Sequence, residues 1–149
     1  MKKQLITTVA VALFLATLTV ASVRAQNAGN MAVTIPFDFA VSSKTLPAGE
    51  YYVRRTIEGP RIVMRISTKD NAQSVYFSTR PAQGRDIQAE SKLVFNKYGD
   101  QYFLSQVWIS GRSYGDELVK NRRERLLQRE MAKSKAKVEA IAIAGRSNK

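Results

Sequence analysis

Five apolar side chains at every second position, Val33, Ile35, Phe37, Phe39 and Val41, alternate with Thr34, Pro36, Asp38 and Ala40, and they constrain this chain more than any other feature. Period two places all five on one face of a β-strand. Pro36 has no N–H to give to a ladder, so the strand is expected at a sheet edge or bulged at that residue. Ser42 to Gly49 follows as a turn region closed by Leu46-Pro47-Ala48-Gly49, where Pro47 fixes φ and Gly49 accepts a positive φ.

Two hairpins come next. The chain runs extended from Glu50 to Ile57, reverses at Glu58-Gly59-Pro60 and returns from Arg61 to Ser67. A two-residue and a four-residue loop give the same facing. Tyr51, Val53, Ile62, Met64 and Ile66 share the core side, with Arg55 intruding, while Tyr52, Arg54, Thr56, Arg61 and Arg65 share an arginine-bearing outer side. After a polar turn at Lys69-Asp70-Asn71, Ser74 to Thr79 reads as a short strand with Val75 and Phe77 inward, and Arg80 to Ala89 as an exposed loop containing Pro81 and Gly84. The second hairpin joins Ser91–Lys97 to Gln101–Ser110. With Gly99-Asp100 as its loop, Phe95 faces Leu104 and Lys97 faces Tyr102, while Val94, Phe103, Val107 and Ile109 look the other way. Both faces are partly apolar, which predicts a central hairpin packed on both sides.

Ser113, with Asp116 three residues later and then Glu117, resembles a helix N-terminus, so a helix is expected from Tyr114 to about Met131. Its amphipathicity is weak: Leu118, Val119 and Leu126 fall in one arc, but so do Arg122 and Arg129. It should dock by its first turns, with Ala132 to Lys149 fraying. Strands in succession followed by a helix predict a mainly β protein: an antiparallel β-sandwich or small barrel of about six strands with a C-terminal helix. The expected division is a signal peptide over 1–25, an antiparallel β domain over 26–113, and a basic C-terminal helix and tail over 114–149.

The signal expectation rests on Lys2 and Lys3, an apolar run from Leu5 to Val20 broken by four threonines, and the small-residue pattern Val23-Arg24-Ala25 before Gln26. Sixteen residues of apolar run fall short of the roughly 20 that span a bilayer, so cleavage is expected, with no transmembrane segment remaining. The destination is periplasmic or secreted. The chain has no cysteine and no histidine, which excludes a lipid-anchored lipoprotein, thiol nucleophiles and imidazole acid–base groups, and makes no cofactor or metal expected. The net charge of +12 is uneven. Residues 26–117 carry 11 Lys/Arg against 9 Asp/Glu, a net of +2, whereas residues 118–149 carry 10 against 3, a net of +7. A basic segment of this kind suits anionic lipid, acidic polysaccharide or nucleic acid, and export sets nucleic acid aside.

Val33-Thr-Ile-Pro-Phe-Asp-Phe-Ala-Val41 and Lys44-Thr-Leu-Pro-Ala-Gly-Glu-Tyr-Tyr-Val53 resemble a family of small exported bacterial proteins. Their shared pattern is Ile-Pro-Phe-x-Phe followed by Leu-Pro-Ala-Gly-x-Tyr-x-Val. The resemblance implies export and a β-rich domain, and it transfers no catalytic residue.

For chemistry, Asp38 and Glu50 are the least unnatural candidate carboxylates, and turn and surface solubility is much the plainer role for both. Asp70-Asn71 and Gly99-Asp100 are turn formers, and Asp116-Glu117 is assigned to helix capping. For binding, the outer face with Tyr52, Arg54, Arg61 and Arg65 can hold carboxylate, phosphate or sulfate and stack on a ring; covering exposed sheet is the plainer role for the same arginines. Trp108, Tyr102 and Tyr76 are a candidate sugar platform, with core packing expected for Trp108. The function expected is a non-enzymatic exported binding or structural module of the cell envelope that contacts an anionic envelope component or a protein partner. The alternative is a small carboxylate-dependent hydrolase of the periplasm.

Overall fold

A computed structural model describes residues 30–57 and 62–147. The proposed signal segment, Arg61 and the reversal at Glu58-Gly59-Pro60 lie outside the described residues. Ten strands and a helix follow one another: β1 (Met31–Ile35), β2 (Phe39–Val41), β3 (Lys44–Leu46), β4 (Gly49–Ile57), β5 (Ile62–Ser67), β6 (Ser74–Gln83), β7 (Ser91–Tyr98), β8 (Gln101–Trp108), β9 (Tyr114–Leu118), α1 (Arg122–Lys133) and β10 (Glu139–Ser147). Eight of the strands, in the order β8-β7-β10-β1-β4-β5-β6-β9, close into an antiparallel barrel because β9 also pairs with β8. The protein is thus mainly β, and of the two expected architectures it is the barrel, closed by eight strands rather than about six and extended by β2 and β3. Closure satisfies the backbone groups that open edges would leave unpaired.

The alternating run at 33–41 is not one strand. Pro36 neither sits at an edge nor marks a bulge: β1 lies inside the sheet between β10 and β4, and the chain leaves that ladder after Ile35. It re-enters as β2, which pairs in parallel with the start of β8, Phe39 opposite Tyr102. The period-two facing survives the break, since Val33, Ile35, Phe39 and Val41 are all buried and Phe37 packs on the same core. Within the expected turn region Lys44–Leu46 is itself a strand, paired with β2.

The first hairpin keeps its expected register, with Val53 opposite Ile66, Arg54 opposite Arg65 and Arg55 opposite Met64, before a bulge between Arg55 and Ile57. Tyr51, Val53, Met64 and Ile66 are buried and Ile62 packs on them. In the second hairpin Phe95 faces Leu104 and Lys97 faces Tyr102, as expected, around Gly99 at φ +59°. A bulge then pairs Val94 with Gln106, leaving Ser105 as the extra residue. That turns Val107 inward beside Leu93, where simple alternation placed it outward. The hairpin is packed on both sides: the barrel core covers one face and α1 the other, where Asn96 and Tyr98 donate to Glu124.

Three further expectations fail. β6 continues through Pro81 to Gln83, paired with β9, in place of a loop from Arg80. Tyr114–Leu118 is strand β9, and the helix starts at Arg122, with Asn121 as its N-cap accepting from the Glu124 N–H at 2.8 Å. The expected fraying tail contains β10, which lies between β7 and β1 and joins the two halves of the barrel. The basic C-terminal segment is therefore woven into the same sheet as residues 31–108.

Candidate functional site

Adjacent strands face Arg54 and Arg65 directly opposite each other across the β4–β5 ladder, on the outer wall. Like charges so placed oppose pairing, and no carboxylate lines the depression they share, which is completed by Tyr52, Ser67, Thr68, Lys69 and Asn71. Among the described residues the ion pairs are Arg55–Asp116, Arg80–Glu117 and Lys97–Glu139, so Arg54, Arg65 and Lys69 belong to none. The depression encloses about 240 Å³, room for one small anionic group rather than a large ligand.

Arg65 is held in place. Its Nε donates to the Ser74 Oγ at 2.9 Å, its Nη2 to the Asn71 Oδ1 at 2.6 Å, and its guanidinium lies 5.6 Å from the centre of the Tyr76 ring. The polar turn read from Lys69-Asp70-Asn71 makes this possible. Asp70 Oδ1 accepts from the Thr68 hydroxyl and the Ala72 N–H, and those bonds, the Thr68 bond foremost, hold its carboxyl below the usual carboxylate range. Asn71 then adopts φ +60° and aims its carbonyl at Arg65. All of Arg65's partners are neutral, so it is oriented without being neutralised.

Three of the four residues singled out in the sequence, Tyr52, Arg54 and Arg65, thus come together, and Arg61 lies outside the described residues. Lys69 and Asn71 were missed as site residues. Their turn chemistry was legible, but its position beside Arg65 depends on β5 and β6 pairing, Arg65 opposite Tyr76.

No family model, curated protein or solved structure matches the chain.

Asp38 and Glu50 are not brought together. Asp38 accepts from the Ala48 N–H at 2.9 Å and borders a small cleft with Asp100, Gln101 and Arg123, whereas Glu50 borders a different one with Thr34 and Arg146. Both are exposed. Nor do the three aromatics form a platform: Trp108 is buried over Gly115, Tyr102 stacks on Phe37 at 3.9 Å, and Tyr76 stands alone on β6, 59% exposed. Asp116 is not a cap. It is buried, receives both of its oxygens' contacts from Arg55 Nη2 at 3.0 and 2.9 Å, and accepts from the Thr79 hydroxyl. Among the described residues no group of His, Cys, Asp and Glu is arranged to hold a metal ion, and no helix is long and apolar enough to cross a membrane.

Proposed function

We propose that this protein is an exported, non-enzymatic binding module of the cell envelope, whose outer β4–β5 wall holds a phosphate, sulfate or carboxylate group of an envelope component. Export rests on the basic start, apolar run and small-residue site of residues 1–25. One observation supports the binding most: Arg54 and Arg65 oppose each other with Lys69 beside them and no carboxylate in the depression they share. An oxyanion bridging the two guanidinium groups converts their repulsion into two charge-assisted contacts, and the Tyr52 ring and the Ser67 hydroxyl give it apolar and polar edges. Arg54 and Arg65 stand on paired strands and Arg65 is already held by Ser74 and Asn71, so ordering it costs little on binding.

Calorimetric titration of the full chain with dextran sulfate, and separately with polyphosphate, tests this. Wild type binds at least one of them with an affinity that falls as NaCl rises. The double variant Arg54→Gln/Arg65→Gln loses charge-assisted bonds of about 1.5–3 kcal/mol each and binds at least 10-fold more weakly. Equal binding by wild type and double variant, both folded by circular dichroism, refutes the assignment.

A further inference from the structure

The helix α1 is amphipathic in charge rather than in hydropathy, and its orientation on the barrel shows which side is which. Glu124 is buried, accepting from Asn96 Nδ2 at 2.9 Å and the Tyr98 hydroxyl at 3.2 Å, and Leu127 and Met131 are half-buried beside it. At about 100° per residue, these three define the docked side. Arg122, Arg125, Leu126, Arg129 and Lys133 then fall in an arc of roughly 100° on the opposite side, and all five are exposed. Neither acidic residue of the helix lies in that arc: Glu124 is underneath and Glu130 is at its flank. Among the described residues the four cations make no side-chain hydrogen bond or ion pair.

The location is as informative as the charge. In the ring order β8-β7-β10-β1-β4-β5-β6-β9, the β7–β8 seam under α1 and the β4–β5 seam are four strands apart in either direction. The helix and the Arg54/Arg65 depression therefore lie on opposite sides of the barrel.

We propose that the outer face of α1 is a docking surface for an anionic lipid bilayer. A helix lying on the outside of a barrel is a convex ridge, which suits a plane of headgroups, whereas a polymer strand is better held in a groove. The cations run along roughly 16 Å of this ridge, so several phosphates are reached at once. Leu126, 48% exposed at one edge of the arc and near the middle of the helix's length, and Val119, 63% exposed just before the helix, supply small apolar contacts with the acyl boundary. With so little apolar surface the attachment is electrostatic and reversible. It does not depend on the anion site of the opposite wall, which would face away from the bilayer.

The test is co-sedimentation of the full chain with vesicles of phosphatidylcholine alone and of phosphatidylcholine with one-third phosphatidylglycerol, at low and high NaCl. The apolar run Leu5–Val20 is common to every arm, so the difference between the two vesicle types is the readout. Wild type prefers the anionic vesicles, and the preference shrinks with salt. Arg125→Gln/Arg129→Gln/Lys133→Gln, which removes three exposed charges and no contact of the fold, lowers partitioning to anionic vesicles about 100-fold. Arg54→Gln/Arg65→Gln leaves it unchanged, which separates this surface from the anion site. Equal binding to both vesicles, or wild-type binding by the triple variant, overturns the proposal. So does loss of polyphosphate binding in the triple variant when wild type shows no preference for anionic vesicles, an outcome that would assign the helix to a soluble polymer.

Discussion

The Arg55–Asp116 pair should be the most sensitive point in the fold. It reaches across the barrel interior from β4 to β9, and β9 is the strand whose pairing with β8, Gln106 to Glu117 and Val107 to Asp116, closes the ring. The side chains are only 12% and 3% exposed. Removing one partner strands the other charge in a low-dielectric interior, at a cost of about 3–5 kcal/mol. Asp116→Ala and Arg55→Met should each lose that much, out of a total stability of about 5–15 kcal/mol. Replacing both, as Arg55→Met/Asp116→Val, removes two desolvated charges together and should cost far less than the sum of the single changes. The assay is urea unfolding followed by the fluorescence of Trp108, the chain's single tryptophan, with far-ultraviolet circular dichroism as a second probe. At a slope of about 1–3 kcal/mol/M, each single variant should shift the midpoint by more than about 1 M. Single losses under about 1 kcal/mol, or a double variant whose loss equals the sum, would show that the pair is incidental to closure.

Burial, followed by the Glu124 carboxylate beside it, pushes the Tyr98 hydroxyl up to about 12. A raised pKa favours the protonated form in the folded state, so its stabilisation is complete below about pH 10, the unfolded value, and is lost as pH rises toward 12. Absorbance titration at 295 nm, as the difference between wild type and Tyr98→Phe, should show this late step, and Glu124→Gln should move it down; a Tyr98 step near pH 10 in wild type would contradict the packing. A Cβ on Gly115 would lie 2.7 Å from Trp108 Cδ2, so Gly115→Ala should cost about 1–3 kcal/mol and shift the tryptophan emission, and an unperturbed spectrum with an unchanged midpoint would count against that contact. Ending the chain at Lys137 removes β10 from between β7 and β1, and the product should lack a cooperative melt; a folded product would mean that β10 is dispensable.

What was legible in the sequence was local. In the second hairpin the pairs nearest Gly99-Asp100 kept the register a short turn sets, and in the first Val53–Ile66 and Arg54–Arg65 kept theirs, while the bulges at Val94/Phe95 and Arg55/Ile57 had no signal in the alternation. Arg54 and Arg65 were therefore placed correctly on the outside and Arg55 on the inside. What was not legible depended on distant partners. Asp116 reads as a capping residue because the sequence around it suits a helix, but the buried guanidinium of Arg55, 61 positions earlier, gives it a stronger role in a strand. In β10 the alternation of Ile141 and Ile143 with alanines is real but weak, since only two side chains mark the inward face; their partners Phe95 and Leu93 are more than 40 residues away.

The helix shows why a correct pattern was given the wrong orientation. In the sequence Leu118, Val119 and Leu126 form the only apolar arc, in which Arg122 and Arg129 read as interruptions of a core-facing side. In the fold Val119 and Leu126 face solvent, and the helix is fastened by the hydrogen bonds of a buried carboxylate, Glu124. Once Glu124 marks the inner side, the arginines no longer interrupt anything; they are the outer face. Hydropathy alone cannot find a helix docked through a polar group, because the burial of Glu124 is offset by Asn96 and Tyr98, two side chains on a strand that local periodicity cannot pair with it. The same fact gives the helix its functional latitude, for a surface not needed for packing is free to carry charge.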